Sequence, residues 1–333
     1  MKEARHYEKL KENNVRCLIC PRKCIVKDGE RGFCKARENK KGKLYSLVYA
    51  APCAVNIDPI EKKPLFHFLP GTDVYSIGTA GCNLRCKFCQ NWQIAQAMPE
   101  DTPFIELNPE NVVKEAIANC CKSIAYTYTE PTIFFEYVLD TAKLAKKKGI
   151  KNVIVSNGFV NQEPLKELCK YIDAANIDLK SFSNDFYKKV TGAWLEPVLE
   201  SLKTLKKEGV WVEVTNLIIP GLNDDMKMIR KMCVWIKEEL GEEVPLHFSR
   251  FFPDYLLKDY PPTEEKVLVK AKGVAEKAGL KYVYIGNIRT EKDEKTKCPK
   301  CGKVVIDREE FMIKENNLKN GKCSCGEKIA GEW

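Results

Sequence analysis

The chain has 333 residues, 16 of them cysteine, and its 55 lysine and arginine residues against 46 aspartate and glutamate residues give a formal net charge of +9. With 44% hydrophobic and 30% charged residues, the composition excludes a disordered chain and predicts a globular protein with a sizeable core. At roughly 150 residues per domain, the length indicates about two domains, or one barrel-sized domain with attachments.

The N-terminus is charged and lacks the apolar region of a signal peptide, and no apolar run reaches the ~20 residues that a membrane helix needs. We therefore expect a cytoplasmic protein with no membrane partner. In that reducing compartment, metal binding or catalysis explains the cysteines better than a disulfide framework. The positive charge allows a nucleic-acid partner, but a solvated, lysine-rich surface is the favoured explanation.

Residues 1–70 are predicted to form an N-terminal module with lead-in strands, including a strand-like stretch at 43–50. Four cysteines follow the spacing C-x2-C-x3-C-x9-C, at Cys17, Cys20, Cys24 and Cys34. Four thiolates could close around one zinc ion or around an auxiliary [4Fe–4S] cluster. A metal-stapled structural role is slightly favoured over an electron-relay cluster.

Residues 71–290 alternate strand-like and helix-like stretches. Short apolar runs rich in Val, Ile and Tyr suit buried parallel strands, at 73–78, 123–128, 152–155, 172–179, 210–219, 244–249 and 281–285. Amphipathic stretches between them suit helices, at 109–121, 132–149, 162–171, 196–208, 224–240 and 263–279. This alternation predicts an α/β fold, a full or partial (β/α) barrel whose active site lies at the C-terminal ends of the strands.

The sharpest motif is a C-x3-C-x2-C loop directly after the first of these strands, formed by Cys82, Cys86 and Cys89. Three thiolates on one tight loop can hold three irons of a [4Fe–4S] cluster and leave the fourth iron without a ligand from the loop. An open coordination position is typical of a catalytic metal, whereas four closed ligands are typical of a structural one. The alternatives are a zinc site with a remote fourth ligand, or three unrelated cysteines.

Residues 291–333 are predicted to form a second small cysteine-rich module behind a charged linker at 291–297. The module contains two close pairs of cysteines, Cys298 with Cys301 and Cys323 with Cys325. Each pair supplies half of a tetrahedral site, which is typical of a zinc ribbon. A module of about 40 residues needs such a staple to fold.

The three-cysteine loop resembles that of the radical S-adenosylmethionine (SAM) superfamily, and the resemblance covers roughly 70–290. It is closest to the glycyl-radical-enzyme activase branch, the pyruvate formate-lyase-activating-like proteins, which Phe88 and Gln90-Asn91-Trp92 fit. Further landmarks follow in order at predicted strand ends, namely Ser156-Asn157-Gly158, Ile177-Asp178-Leu179-Lys180, Thr191-Gly192, Ile219-Pro220-Gly221-Leu222-Asn223-Asp224 and Pro245-Leu246-His247.

Almost the whole chain resembles one subgroup, the AmmeMemoRadiSam-system radical SAM enzymes. The supporting stretches are the cysteines of 17–34, PLFHFLPG at 64–71, YTYTEPT at 126–132, FFPDY at 251–255 and the C-terminal cysteine module ending in Gly331-Glu332-Trp333. This resemblance implies protein partners from the associated Memo-like and AMMECR-like families, and it leaves the substrate unidentified.

The superfamily resemblance implies a [4Fe–4S] cluster whose open iron is chelated by SAM, and an electron donor such as ferredoxin or flavodoxin. It also implies contacts to SAM: Glu130 to the amino group, Lys180 to the carboxylate, Asn157 to the ribose and His247 to the adenine edge. Each of these residues has a structural alternative, respectively a buried carboxylate, a solvated lysine, an Asn-Gly turn and a core histidine.

The sequence thus predicts a radical SAM enzyme that generates a 5′-deoxyadenosyl radical and takes a hydrogen atom from a protein or small molecule. One alternative is an RNA-modifying radical SAM enzyme, which the basic charge and the zinc ribbon permit. A less favoured alternative is a non-catalytic, metal-bound nucleic-acid or assembly protein. The three-cysteine loop with no fourth local ligand argues against that last class.

Overall fold

The computed structural model describes residues 1–288 and 294–333. Residues 291–293 of the expected charged linker lie outside the described residues. None of the described helices is long and apolar enough to cross a membrane.

The N-terminal segment is built from short strands that form two antiparallel three-stranded sheets, in the orders β1-β6-β5 and β2-β3-β4. The six strands are β1 (Lys2–Glu3), β2 (Tyr7–Lys9), β3 (Val15–Cys17), β4 (Ile25–Val26), β5 (Arg37–Lys40) and β6 (Lys43–Ser46). Such short strands bury little surface, so other interactions must stabilise this segment.

The central sheet has eight strands in the order β14-β13-β12-β11-β10-β9-β8-β7. They are β7 (Ala54–Pro59), β8 (Asp73–Gly78), β9 (Ser123–Tyr126), β10 (Lys151–Ser156), β11 (Ala174–Asp178), β12 (Trp211–Ile218), β13 (Leu246–Arg250) and β14 (Val283–Gly286). Strands β8 to β14 are parallel, and β7 pairs antiparallel with β8. The two end strands of this order do not pair in the described residues, so the barrel is partial.

Helices follow most of the parallel strands. In the part of the chain that the structure describes, the α-helices are α1 (Trp92–Ala95), α2 (Pro109–Ala118), α3 (Phe135–Lys147), α4 (Gln162–Cys169), α5 (Asn184–Phe186), α6 (Glu196–Lys207), α7 (Met226–Leu240) and α8 (Glu265–Ala278). Local chemistry sets their ends. The Asn108 side chain accepts from the N–H of Asn111 and Pro109 follows it, whereas α8 stops at Gly279 with φ +99°. The fold class predicted from the sequence is confirmed.

The core lies between the parallel strands and the helices that cover them. All four residues of β9 are buried, as expected of a strand covered on both faces. A buried ion pair joins the N-terminal segment to this core, because Arg37 of β5 binds Glu136 of α3 through two hydrogen bonds of 3.1 and 2.8 Å. The N-terminal segment is therefore fixed against the barrel.

The C-terminal residues form a third antiparallel sheet of β15 (Thr296–Lys297), β16 (Val304–Glu309) and β17 (Met312–Asn316). Buried Arg308 donates to the carbonyl of Phe66 at 2.5 Å, and the N–H of Glu332 donates to the carbonyl of His67 at 2.8 Å. Phe66 and Tyr284 share a hydrophobic cluster with Cys298. This module therefore packs on the partial barrel.

Candidate active site

The three-cysteine loop lies at the C-terminal end of β8, where a barrel of parallel strands places its chemistry. Its backbone is held by residues beyond β11: the N–H of Arg85 donates to the carbonyl of Thr191 at 2.8 Å, and that of Lys87 to Val190 at 3.0 Å. Gly81 takes φ +97°, and a Cβ there would collide with the carbonyl oxygen of Cys34. Glycine thus lets the loop pass close to the N-terminal segment.

The three thiols are sheltered to different degrees. Cys86 is buried, whereas Cys82 and Cys89 are partly exposed. Burial raises the pKa of the Cys86 thiol to about 12, although the Lys180 cation acts against it. Burial, the Glu130 carboxylate and the other two sulfurs also raise the pKa of Cys82. A cationic metal cluster removes this penalty on thiolate formation, so the donor set fits an iron–sulfur cluster.

Asn157 is brought next to this loop. Its side-chain amide donates to the Sγ atom of Cys82 at 3.8 Å and to Oδ1 of Asn83 at 2.9 Å. Its own Oδ1 accepts from the N–H of Phe159 at 2.9 Å. The residue therefore ties the turn after β10 to the cysteine loop, and its donor already has partners.

Glu130 lies beneath that turn and is fully buried. One carboxylate oxygen accepts from the N–H of Thr132 at 3.1 Å, and the other from the N–H of Asn157 at 2.9 Å, with the Ser156 hydroxyl shared between them. Burial raises the pKa of Glu130, against these hydrogen bonds. The structure thus shows the carboxylate supporting the turn, and its predicted contact to the SAM amino group stays a prediction.

Lys180 lies on the other side of the loop. Its Nζ atom is 2.9 Å from Oδ2 of Asp178 and 5.5 Å from the ring centre of Phe88. Burial opposes its charge, but Asp178 and the Cys86 thiol together raise the pKa of Lys180 above its usual value. The Lys180 ammonium therefore faces the cysteine loop with its charge stabilised by these two groups.

His247 is placed apart from these residues. Its Nε2 atom is 2.7 Å from Oε2 of Glu213, and its ring contacts Phe66 and Tyr284. His247 and Glu213 lie near the starts of β13 and β12, whereas the cysteine loop follows the end of β8. The structure does not bring this residue together with the cysteine loop. Its ring packs instead in the core beneath the C-terminal module.

The structure also brings in residues to which the sequence assigned no role. Trp92 and Tyr255 stack with ring centres 5.2 Å apart and planes at 15°. The N–H of Leu256 donates to the carbonyl of Lys87 at 2.9 Å, so the segment after β13 covers the cysteine loop. The QNW and FFPDY stretches stand out in the sequence. Their contact could not be predicted from it, because Trp92 and Tyr255 are more than 160 residues apart in the chain.

The C-terminal cysteines form a compact group. The sulfurs of Cys298, Cys301, Cys323 and Cys325 all lie within 4.8 Å of one another. The Cys298–Cys325 and Cys301–Cys323 sulfur distances are both 3.6 Å. Hydrogen bonds, chiefly from the Cys325 backbone, lower the pKa of Cys323 to about 6. These residues could hold one metal ion.

Comparisons with known proteins agree with this geometry. The model of the Radical SAM superfamily matches residues 76–233. An uncharacterized protein of Methanocaldococcus jannaschii is 52% identical over 99% of both chains. The pyruvate formate-lyase-activating enzyme of Clostridium pasteurianum is 28% identical over 54% of this chain and 80% of its own. A radical SAM methyltransferase from Sphaerobacter thermophilus has a similar fold, with a TM-score of 0.52, 11% identity, and coverage of 66% of this chain and 67% of its own.

The chain therefore belongs to the radical SAM superfamily. Within it, the chain is similar to the pyruvate formate-lyase-activating branch. Membership implies a [4Fe–4S] cluster and SAM as cofactors, together with an electron donor.

Proposed function

We propose that Cys82, Cys86 and Cys89 hold the [4Fe–4S] cluster and that the chain uses it to cleave SAM. The observation that carries this proposal is a three-thiol loop at the C-terminal end of β8, which supplies three ligands for four irons. When bound, such a cluster would supply the electron for reductive cleavage of SAM, the chemistry that allows a hydrogen atom to be removed from a protein or small-molecule substrate.

The chain's own residues prepare this site. Asn157 donates towards Cys82, and Lys180 acts electrostatically on Cys86, so both favour thiolates at the loop. Asp178 holds the Lys180 ammonium in place, where we propose that it pairs with the SAM carboxylate. Glu130 acts through the backbone of Asn157, which it fixes. The segment after β13 covers the loop and limits its access to water.

The C-terminal cysteines are proposed to bind zinc. Zinc–sulfur bonds of 2.3 Å in a tetrahedron place sulfurs about 3.8 Å apart, close to the 3.6 Å of both measured pairs. Metal analysis of the purified protein is expected to show one zinc that is lost in Cys301→Ser. Retention of that zinc in the variant would argue for a different site.

Partners are proposed from the resemblance. A low-potential carrier such as ferredoxin or flavodoxin would supply the electron, and members of the Memo-like and AMMECR-like families are candidate protein partners. Activation of a glycyl-radical enzyme is a finer hypothesis, supported by 24–28% identity to pyruvate formate-lyase-activating enzymes. Incubation with candidate partners, followed by EPR, tests it through the appearance of a glycyl doublet.

Formation of 5′-deoxyadenosine tests the proposed function. Protein reconstituted anaerobically with iron and sulfide, then given dithionite and SAM, is expected to release it. Cys86→Ala is expected to abolish the product, whereas Cys120→Ala, which removes an exposed cysteine in the turn after α2, is expected to retain it. No product from iron-replete wild-type protein would refute the proposal.

A further inference from the structure

The four N-terminal cysteines meet in space. Cys17 ends β3, and its N–H donates to the carbonyl of Cys24 at 3.0 Å. Cys20 and Cys34 come from the turns that follow β3 and β4. All four side chains line one cavity, whose other walls include Ile19, Phe33 and Ile133. A largely apolar cavity with four converging thiols is a closed ligand set.

The spacing of these sulfurs differs from that of the C-terminal set. Among the described residues, the C-terminal four are the group whose sulfurs all lie within 4.8 Å, and the N-terminal four do not meet that spacing. Four thiolates around a single ion must stand about 3.8 Å apart. In a four-cysteine cluster each thiolate binds a different iron, so the sulfurs stand farther apart. The C-terminal set shows the sulfur spacing of a single-ion site in this chain, and the sulfurs of the N-terminal set are spaced more widely.

Fixed cations surround the cavity. Buried Arg37 lines it and acts electrostatically on Cys17 and Cys34. Arg22 lines it as well and interacts with Cys20 and Cys24. These guanidinium groups offset the negative charge that four thiolates give to a cluster.

The cavity also adjoins the catalytic loop. Asn83 lines it and bonds Asn157 beside Cys82. The Nε atom of Arg22 donates to the carbonyl of Asn83 at 2.7 Å, and the guanidinium of Arg85 donates to the carbonyl of Phe33. Both guanidinium groups lie on the Phe33 ring, 3.6 and 4.0 Å from its centre. The two cysteine sets therefore share a wall.

We propose that Cys17, Cys20, Cys24 and Cys34 bind a redox-active [4Fe–4S] cluster beside the catalytic loop, rather than zinc. Every iron then has a protein ligand, so SAM and substrate have no iron to bind and one-electron transfer is the chemistry open to this site. An external iron–sulfur or flavin carrier loses one electron, and the cluster passes from the 2+ to the 1+ state without a bond being broken. Transfer onward to the catalytic cluster rests on the proposed function.

Removal of the catalytic ligands isolates this site. The variant Cys82→Ala, Cys86→Ala, Cys89→Ala is reconstituted anaerobically with iron and sulfide and assayed for iron, sulfide and zinc. The expected result is about four irons and four sulfides per chain, and an EPR signal after reduction with dithionite. Iron at background with two zinc ions per chain, or iron that dithionite does not reduce, would overturn the proposal.

If that variant fails to fold, the iron and zinc contents of the wild-type protein test the same proposal. The wild type is expected to hold about eight irons and one zinc per chain, falling to about four irons in Cys20→Ser, Cys24→Ser. About four irons and two zinc ions in the wild type would overturn the auxiliary cluster and leave the proposed function standing. Failure of SAM cleavage alone would leave these metal counts unchanged. Absence of the catalytic cluster would instead give about four irons and one zinc in the wild type, which differs from the result that overturns the auxiliary cluster.

Discussion

At the scale of single residues, charge organises the candidate site. Lys180 is held by Asp178 at 2.9 Å and acts on the thiols of both Cys86 and Cys89. A lysine followed by a serine at a strand end reads from the sequence as a solvated residue as easily as a ligand. Only the fold shows that its charge is directed at the cysteine loop.

Lys180→Met tests that charge. The variant loses the cation and leaves Asp178 unpaired near the loop, so SAM affinity is expected to fall about tenfold or more, the effect of losing one charge-assisted hydrogen bond. SAM binding is measured by titration of the reconstituted protein. Lys189→Met removes an exposed lysine paired with Asp185 at 3.7 Å and is expected to bind SAM like the wild type. Equal affinities in all three proteins would remove Lys180 from the site.

A second residue, His67, is expected to make the stability of the fold depend on pH. It is buried between the barrel and the C-terminal module, bonded to the carbonyl of Ala330 at 2.6 Å and to the Tyr284 hydroxyl at 2.5 Å. Burial lowers the pKa of His67 from 6.5 to about 4, although the carboxylate of Glu213 opposes this. The unfolded state therefore binds a proton between pH 6.5 and 4 that the folded state does not, and stability falls as the pH drops through that window.

The expected loss is about 3 kcal/mol between pH 6.5 and 4. Urea unfolding at several pH values measures it, and His67→Gln, which cannot titrate, is expected to show a flatter dependence. Glu213 also titrates in the folded core, but the pKa of this carboxyl is below its usual value, so its contribution is lost at lower pH. Equal slopes for the two proteins would show that His67 does not couple pH to folding.

At the scale of elements, the seven parallel strands and six longer helices follow the sequence pattern, because their apolar periodicity is strong. Their ends shift for local reasons. The helix expected at 132–149 begins at Phe135, since Pro131–Phe134 forms a 3-10 turn capped by Glu130. Antiparallel β7 was not predicted, because AVNIDP contains Asn, Asp and Pro, which are depleted in strands.

The buried ion pair between Arg37 of β5 and Glu136 of α3 is expected to stabilise the fold. Glu136→Gln removes the carboxylate that is hydrogen-bonded to buried Arg37, so the free energy of unfolding is expected to fall by about 3–5 kcal/mol. Glu163→Gln alters an exposed pair with Lys166 and is expected to change it by less than about 0.5 kcal/mol. Urea unfolding of the metal-replete proteins measures both. A small effect of Glu136→Gln would mean that the N-terminal segment docks by other contacts.

For the molecule as a whole, metal binding at the three cysteine sets would change the net charge of the chain. Metal-bound thiolates at the catalytic loop, the C-terminal site and the N-terminal site would contribute about −1, −2 and −2, which brings the formal +9 to about +4. If these proposed sites are filled, much of the basic excess would balance thiolates and would not require a nucleic-acid partner.

The grouping of the cysteines could be predicted from the sequence because the spacing within each set is local, and their role as ligands stays a prediction. The contacts that join them could not, because Arg22–Asn83 and Asn83–Asn157 pair residues 61 and 74 positions apart. The four residues predicted to contact SAM lie in three different places, which the sequence alone does not show. Asn157 and Lys180 adjoin the cysteine loop, Glu130 supports the turn after β10, and His247 belongs to the core under the C-terminal module.

The proposed function requires SAM to bind the open iron of a cluster held by Cys82, Cys86 and Cys89. Electron–nuclear double resonance on the reduced protein, with SAM labelled by ¹⁵N at its amino group, tests this binding directly. We expect a hyperfine coupling between that nitrogen and the cluster, present in the wild type and absent in Cys86→Ala. A reduced, iron-replete wild-type protein whose spectrum shows no coupling to the labelled nitrogen would contradict the proposed function.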